Sequence, residues 1–103
     1  MMNQAQLLAQ MKRMQSEMAR AQEELAATMV TGTAGGGSVT VEMTCDQRLN
    51  AVKIAPAAVD PQDVETLEDL ITVAVNDALR KSTEESSRRM SAVTGGLRIP
   101  GLT

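Results

Sequence analysis

Residues 31–41 read TGTAGGGSVTV, with four glycines between Gly32 and Gly37 and a strict alternation of apolar and polar residues directly after them. The alternation continues through Val39, Val41, Met43 and Cys45, interleaved with Thr40, Glu42 and Thr44. A period of two is the signature of a strand with one buried face. Glycines in such a cluster supply the backbone freedom of a hairpin or bulge. Gly32 and Gly37 also have the spacing of a phosphate-binding loop. That chemistry needs Lys and then Ser/Thr after the second glycine, with a helix to follow, and here Ser38-Val39 leads into a strand. The hairpin or bulge is the better account. A short strand at 29–33 is expected to pair ahead of the glycines. Asp46-Gln47-Arg48 reads as a turn, and residues 49–54 return as a third strand with Val52 and Ile54 inward. The result is a three-stranded antiparallel meander.

The sheet is flanked by helices on both sides. From Asn3 to Met29 there is no Gly or Pro. Leu7, Met11, Met14, Met18, Ala21 and Leu25 recur at spacings of four and three, an a/d seam over nearly three heptads. The helix is expected to stop at Thr31-Gly32. At about 40 Å it is too long to lie wholly on a small domain, so part of it faces the core and the rest projects as an arm. Arg13–Glu17 and Arg20–Glu24 form opposite-charge pairs four residues apart. After the sheet, Pro56 breaks the strand and Asp60-Pro61 reads as the N-cap and first position of a second helix. Val64, Leu67, Leu70, Ile71, Ala74, Val75, Ala78 and Leu79 give that helix a broad apolar face to cover the sheet. Gly95-Gly96 is read as its terminator, followed by a tail with Leu97, Ile99 and Leu102 as docking points.

These features make one α+β domain, of broad class α/β: arm 1–29, sheet 30–55, helical region 60–94 and tail 95–103. The chain has 103 residues, eight Met, and no Phe, Trp, Tyr or His. Without aromatics each buried position contributes less area, so a second copy of the chain is expected to cover what one copy leaves exposed. A single Cys45 cannot form an internal disulfide, and no stretch has the length and apolarity of a membrane span or signal peptide. A cytoplasmic protein is expected.

The net charge of −3 hides a segregation. Asp60, Asp63, Glu65, Glu68, Asp69 and Asp77 fill one segment that holds no cation. Beyond it, Arg80, Lys81, Arg88, Arg89 and Arg98 face only Glu84 and Glu85, while Lys12, Arg13 and Arg20 in the first helix are balanced by Glu17, Glu23 and Glu24. Local sign governs attraction within a Debye length of about 8–10 Å. No nucleophile–base pairing is visible, and Glu65–Asp69, the one carboxylate pair on a helix face worth naming, supplies too few ligands for a divalent cation. The expectation is no enzyme, no cofactor and no metal.

The ordered set resembles the YbaB/EbfC family of bacterial nucleoid-associated DNA-binding proteins. The carrying residues are the Met- and Gln-rich heptad helix, Val30-Thr31-Gly32 with Gly36-Gly37 and Val39-Thr40-Val41, Val52-Lys53-Ile54, and Asp60-Pro61. Leu67-Glu68-Asp69-Leu70, Asn76-Asp77-Ala78 and Thr94-Gly95-Gly96-Leu97 complete it, so the similarity spans essentially the whole chain. The resemblance implies a tweezer-like homodimer whose helical arms grip duplex DNA, with a nucleoid location and a role in nucleoid organisation or gene regulation. Carried onto this chain, its DNA-contacting residues are Lys12, Arg13, Arg20, Arg80, Lys81, Arg88 and Arg89. The competing reading is a scaffold without DNA, in which the Met-rich seam of the first helix docks an unidentified protein partner and the cations keep the arms soluble.

Overall fold

The computed structural model describes residues 3–94, with Thr94 described by its backbone alone. The order is α1 (Gln4–Ala27), β1 (Met29–Ala34), β2 (Val39–Thr44), β3 (Leu49–Ile54) and α2 (Val64–Thr94). The three strands form one antiparallel sheet in the order β1-β2-β3, the meander expected from the alternation. Gly95-Gly96, Arg98 and the tail with Leu97, Ile99 and Leu102 lie outside the described residues.

Asn3 caps α1 reciprocally: its side chain accepts from the Gln6 amide at 2.8 Å while the Gln6 side chain accepts from the Asn3 amide at 3.1 Å. The helix ends at Ala27, earlier than the expected stop at Thr31-Gly32. Thr28 turns the chain, its hydroxyl bonding the Glu24 carbonyl and its amide the Leu25 carbonyl. Pairing of Met29 with Thr44 and of Val30 with Met43 then claims the next residues for the sheet. Tertiary pairing overrides a local absence of helix breakers here. The glycines make the β1–β2 turn, where Gly35, Gly36 and Gly37 all hold positive φ of 60°, 68° and 95°.

The expected N-cap of α2 also moves. Asp60 accepts from the Gln62 amide within the turn that precedes the helix. The cap falls instead to Asp63, whose carboxylate accepts from the Thr66 amide at 3.3 Å and the Thr66 hydroxyl at 2.6 Å. Asp60-Pro61 builds a turn that delivers a second aspartate to the helix end.

The core lies between α2 and one sheet face: Ala34, Val39, Val41 and Met43 against Ala74 and Ala78, with Val30, Leu67, Leu70, Ile71, Val75 and Leu79 packed around them. Gly32 decides how closely the layers meet. A Cβ there would overlap the Ala74 carbonyl oxygen, the Ala78 amide nitrogen and the Ala78 methyl. Farther along, Ser82 is fully buried and donates from its hydroxyl to the Cys45 carbonyl at 3.1 Å. The small-residue track of Ala74, Ala78 and Ser82 therefore seats α2 against β1 and the end of β2.

The third strand departs from expectation. Val52 and Ile54 pair with Val41 and Val39, so they point to the helix side of the sheet, yet they remain 39% and 37% exposed. Leu49 is 55% exposed. Because α2 is drawn over β1 and β2 by the Gly32 contact, one helix of about 10 Å width cannot also cover β3. The molecule measures 70 × 27 × 16 Å, with a radius of gyration of 19.8 Å. A compact domain of this length would have about 13 Å. The excess is the arm: from Asn3 to Arg13 every residue except Gln10 is exposed. Among the described residues no helix is long and apolar enough to cross a membrane.

Gly32→Ala is expected to destabilise the fold by about 3 kcal/mol, the upper end for overpacking, because backbone atoms of α2 have no rotamer escape. Urea unfolding would show this as a lower midpoint at an unchanged slope.

Candidate nucleic-acid interface

The seven basic residues expected to contact DNA fall into two groups. Those on α2 are already engaged. Arg80 bridges Asp77 at 2.9 Å and Glu84 at 2.8 Å, and Lys81 reaches the Thr31 carbonyl at 2.8 Å and Asp77 at 3.3 Å. Arg88 pairs with Glu85 at 2.7 Å, and Arg89 binds Glu85 and Glu24, each at 3.1 Å. Those on α1 differ: Lys12, Arg13 and Arg20 are exposed and have no ion pair among the described residues.

The pairs expected within α1, Arg13–Glu17 and Arg20–Glu24, do not form, and in the second Glu24 turns to Arg89 of α2 instead. An Arg placed N-terminal to a Glu opposes the helix dipole, which makes it the weaker orientation of an i,i+4 pair. A partner from another helix therefore competes well. Arg13 and Arg20 are seven residues apart and share a face, with Lys12 beside them. That face lies away from the seam, which buries Ala21 and Leu25.

Arg48 joins this set, although sequence reading passed over it. It sits at the exposed β2–β3 turn beside Gln47, which holds a positive φ of 66° and donates from its side chain to the Thr83 hydroxyl at 3.1 Å. The same turn is tied to the root of α1, where the Cys45 amide donates to the Leu25 carbonyl at 3.1 Å. No carboxylate engages the Arg48 side chain among the described residues. One arginine in a turn carries no periodic signal, so only its placement distinguishes it.

Asp77 has a different task. Its carboxylate accepts from the Thr33 amide at 3.0 Å and from Arg80, while Lys81 holds the Thr31 carbonyl. The two side chains occupy hydrogen-bonding groups on the free edge of β1, which would otherwise invite strand addition. The Thr33 amide, then Arg80 and Lys81, pull the Asp77 pKa down to about 2. On the outer sheet face, hydrogen bonding and charge from Lys53, with help from Asn50, likewise lower the Glu42 carboxyl. Burial pushes the Cys45 thiol up. Glu65, Glu68 and Asp69 lie exposed near the start of α2, and among the described residues no group of three His, Cys, Asp or Glu side chains is placed to hold a metal.

The class these features define is a small α+β domain with unpaired cations on a helical arm and an acidic opposite end. The chain belongs to the YbaB/EbfC DNA-binding family, whose profile matches residues 1–97. It is 50% identical over 97 residues to a nucleoid-associated protein of Chloroflexus aurantiacus, covering 94% of this chain and 97% of that protein. A nucleoid-associated protein of Syntrophobacter fumaroxidans is also 50% identical, over 95 residues, covering 92% of this chain and 86% of the relative. The fold matches the crystal structure of an uncharacterized protein from Helicobacter pylori with a TM-score of 0.76 at 23% identity, covering 95% of this chain and all of that one.

The depressed Asp77 pKa has a consequence in acid. A carboxyl at about 2 in the fold and near 3.8 when unperturbed stabilises the fold fully above the higher value. That contribution is lost as pH falls toward 2. Urea midpoints measured across this range should drop more steeply for the parent than for Asp77→Asn, which has no proton to gain.

Proposed function

We propose that this protein is a nucleoid-associated homodimer that binds duplex DNA through phosphate contacts from α1, with a role in nucleoid organisation or gene regulation. The observation that carries the reading is the set of exposed cations on a projecting arm, Lys12, Arg13 and Arg20, free of carboxylate partners among the described residues. Lys and Arg displace the counterions condensed on phosphates and need little geometric precision to do so, which suits long flexible side chains on an exposed helix. The acidic start of α2 repels the same polyanion and directs it to the arm end. The chain contains no aromatic residue, so it offers no stacking platform for single strands. The α2 cations contribute less than the α1 set, because each must leave a carboxylate to meet a phosphate.

The second copy is proposed to cover β3. Leu49, Val52 and Ile54 form an uncovered apolar strip on the helix side of the sheet. Val75 and Leu79 lie on the flank of α2 away from Asp77, so strip and flank form one continuous surface. Burial against a two-fold mate removes that surface from water and duplicates the arm cations. Sedimentation equilibrium at low micromolar concentration should show a dimer, and Val52→Glu should shift it to monomer with its helix content retained. A folded parent monomer without concentration dependence would remove the dimer from the proposal.

Binding to random duplex, followed by fluorescence anisotropy across a salt series, tests the arm. The log–log slope should be about −0.9 per phosphate contact. Lys12→Ala with Arg13→Ala should weaken binding to all sequences and flatten that slope, and the Arg80→Ala with Arg88→Ala pair should do so less. Unchanged affinity in the α1 pair at every salt concentration would favour the scaffold reading. That reading has its own support in Leu7, Leu8 and Met11, an exposed apolar stripe near the tip of the arm that a partner helix would fit.

A further inference from the structure

We propose that Arg89 is a positioning residue, a strut between α2 and α1 that holds the arm at its angle. The inference rests on the duplex-binding reading above and reassigns one of the residues that family resemblance would place against DNA.

Arg89 is held on two sides by two helices. Its Nε donates to Glu85 on the turn before it, and its Nη1 donates to Glu24 of α1, both at 3.1 Å. The planar guanidinium suits this bridging, since its donors point along fixed directions. Glu85 orders the group first, so reaching Glu24 costs little further side-chain entropy. Nearer the root, Gln22 and Leu25 of α1 line a second groove with Ser86 and Met90 of α2. Ala21 and Leu25 are the buried residues of α1, and the groove beside the strut is lined by Glu17, Arg20, Ala21, Ala92 and Val93. Ala21 and Ala92 give this groove little bulk, and Arg89–Glu24 is the one ion pair between α1 and α2 among the described residues.

Leverage makes the angle matter. Lys12 is twelve residues, about 18 Å, outward from Glu24. A swing of about 10° at the strut displaces it by about 3 Å, the length of a hydrogen bond. The strut thus keeps the arm in register.

Glu24→Ala separates this role from a phosphate contact by the sign of its effect. The substitution removes a carboxylate from the arm, releases Arg89 from α1 and places the strongest helix former in α1. If Arg89 served as a phosphate ligand, random-duplex affinity would rise. As a strut, its loss from α1 should lower affinity about threefold to fivefold at moderate salt, in line with an exposed ion pair that orders an arm. A second readout needs no DNA. Spin labels on Gln4→Cys and Ala57→Cys, in protein diluted with unlabelled chain, report the arm-to-sheet distance, while the buried Cys45 is shielded from labelling. Glu24→Ala should broaden that distance distribution. Equal or tighter duplex binding by Glu24→Ala, or an unchanged distribution, would overturn the strut. If the parent itself fails to bind duplex, the functional proposal falls while the distance distribution still judges the strut.

Discussion

The structure depends on one close approach, the backbone of β1 at Gly32 against the backbone of α2 at Ala74 and Ala78. Because no side chain intervenes, α2 lies over β1 and β2, and its flanking side chains reach the sheet edge. Asp77 and Lys81 can then engage the Thr33 amide and the Thr31 carbonyl directly. One contact between small residues thus covers one side of the sheet, occupies the free edge of β1 and leaves β3 open. Helix-on-sheet packing with larger residues at these positions would stand farther off, and neither side chain would reach the edge.

The same placement sorts the charges. Once α2 is seated, its cations face carboxylates one helical turn away or across the gap to α1, and all four are engaged. Lys12 and Arg13 project beyond the body, Arg20 lines the groove beside Arg89, and none of the three finds such a partner among the described residues. Net charge and residue counts treat the two groups alike. Pairing separates them, because an ion pair already formed must be broken before either member serves a phosphate. The acidic start of α2 and the outer arm with Lys12 and Arg13 consequently form distinct ends of an elongated molecule.

Much of this was legible in the chain itself. The glycine run and the alternation from Val39 to Cys45 specify a hairpin and its buried face, since a period of two admits one assignment of sides. The heptad seam and the apolar face from Leu67 to Leu79 specify two long helices, and the length of the first implies an arm. Two local signals were outcompeted. The absence of breakers after Ala27 suggested more helix, but strand pairing through Val30 and Thr31 claimed those residues. Asp60-Pro61 resembled a helix start, but it formed the turn that leaves Asp63 as the cap.

Sequence by itself determined the elements, their order, the side of each strand that turns inward and the family to which the chain belongs. The elements follow from periodicity and backbone chemistry, which are local, and the family follows from resemblance along residues 1–97. Tertiary structure decided which inward-facing residues are covered and which charges are paired. Val41 and Val52 occupy the same sheet face with the same apolar character, yet one is fully buried and the other exposed, because only one lies beneath α2. Arg20 and Arg89 are equally basic, yet Glu24 chose Arg89 across 65 residues over its own neighbour four positions away. Coverage and pairing depend on where a second element comes to rest, and a local pattern carries no measure of that distance.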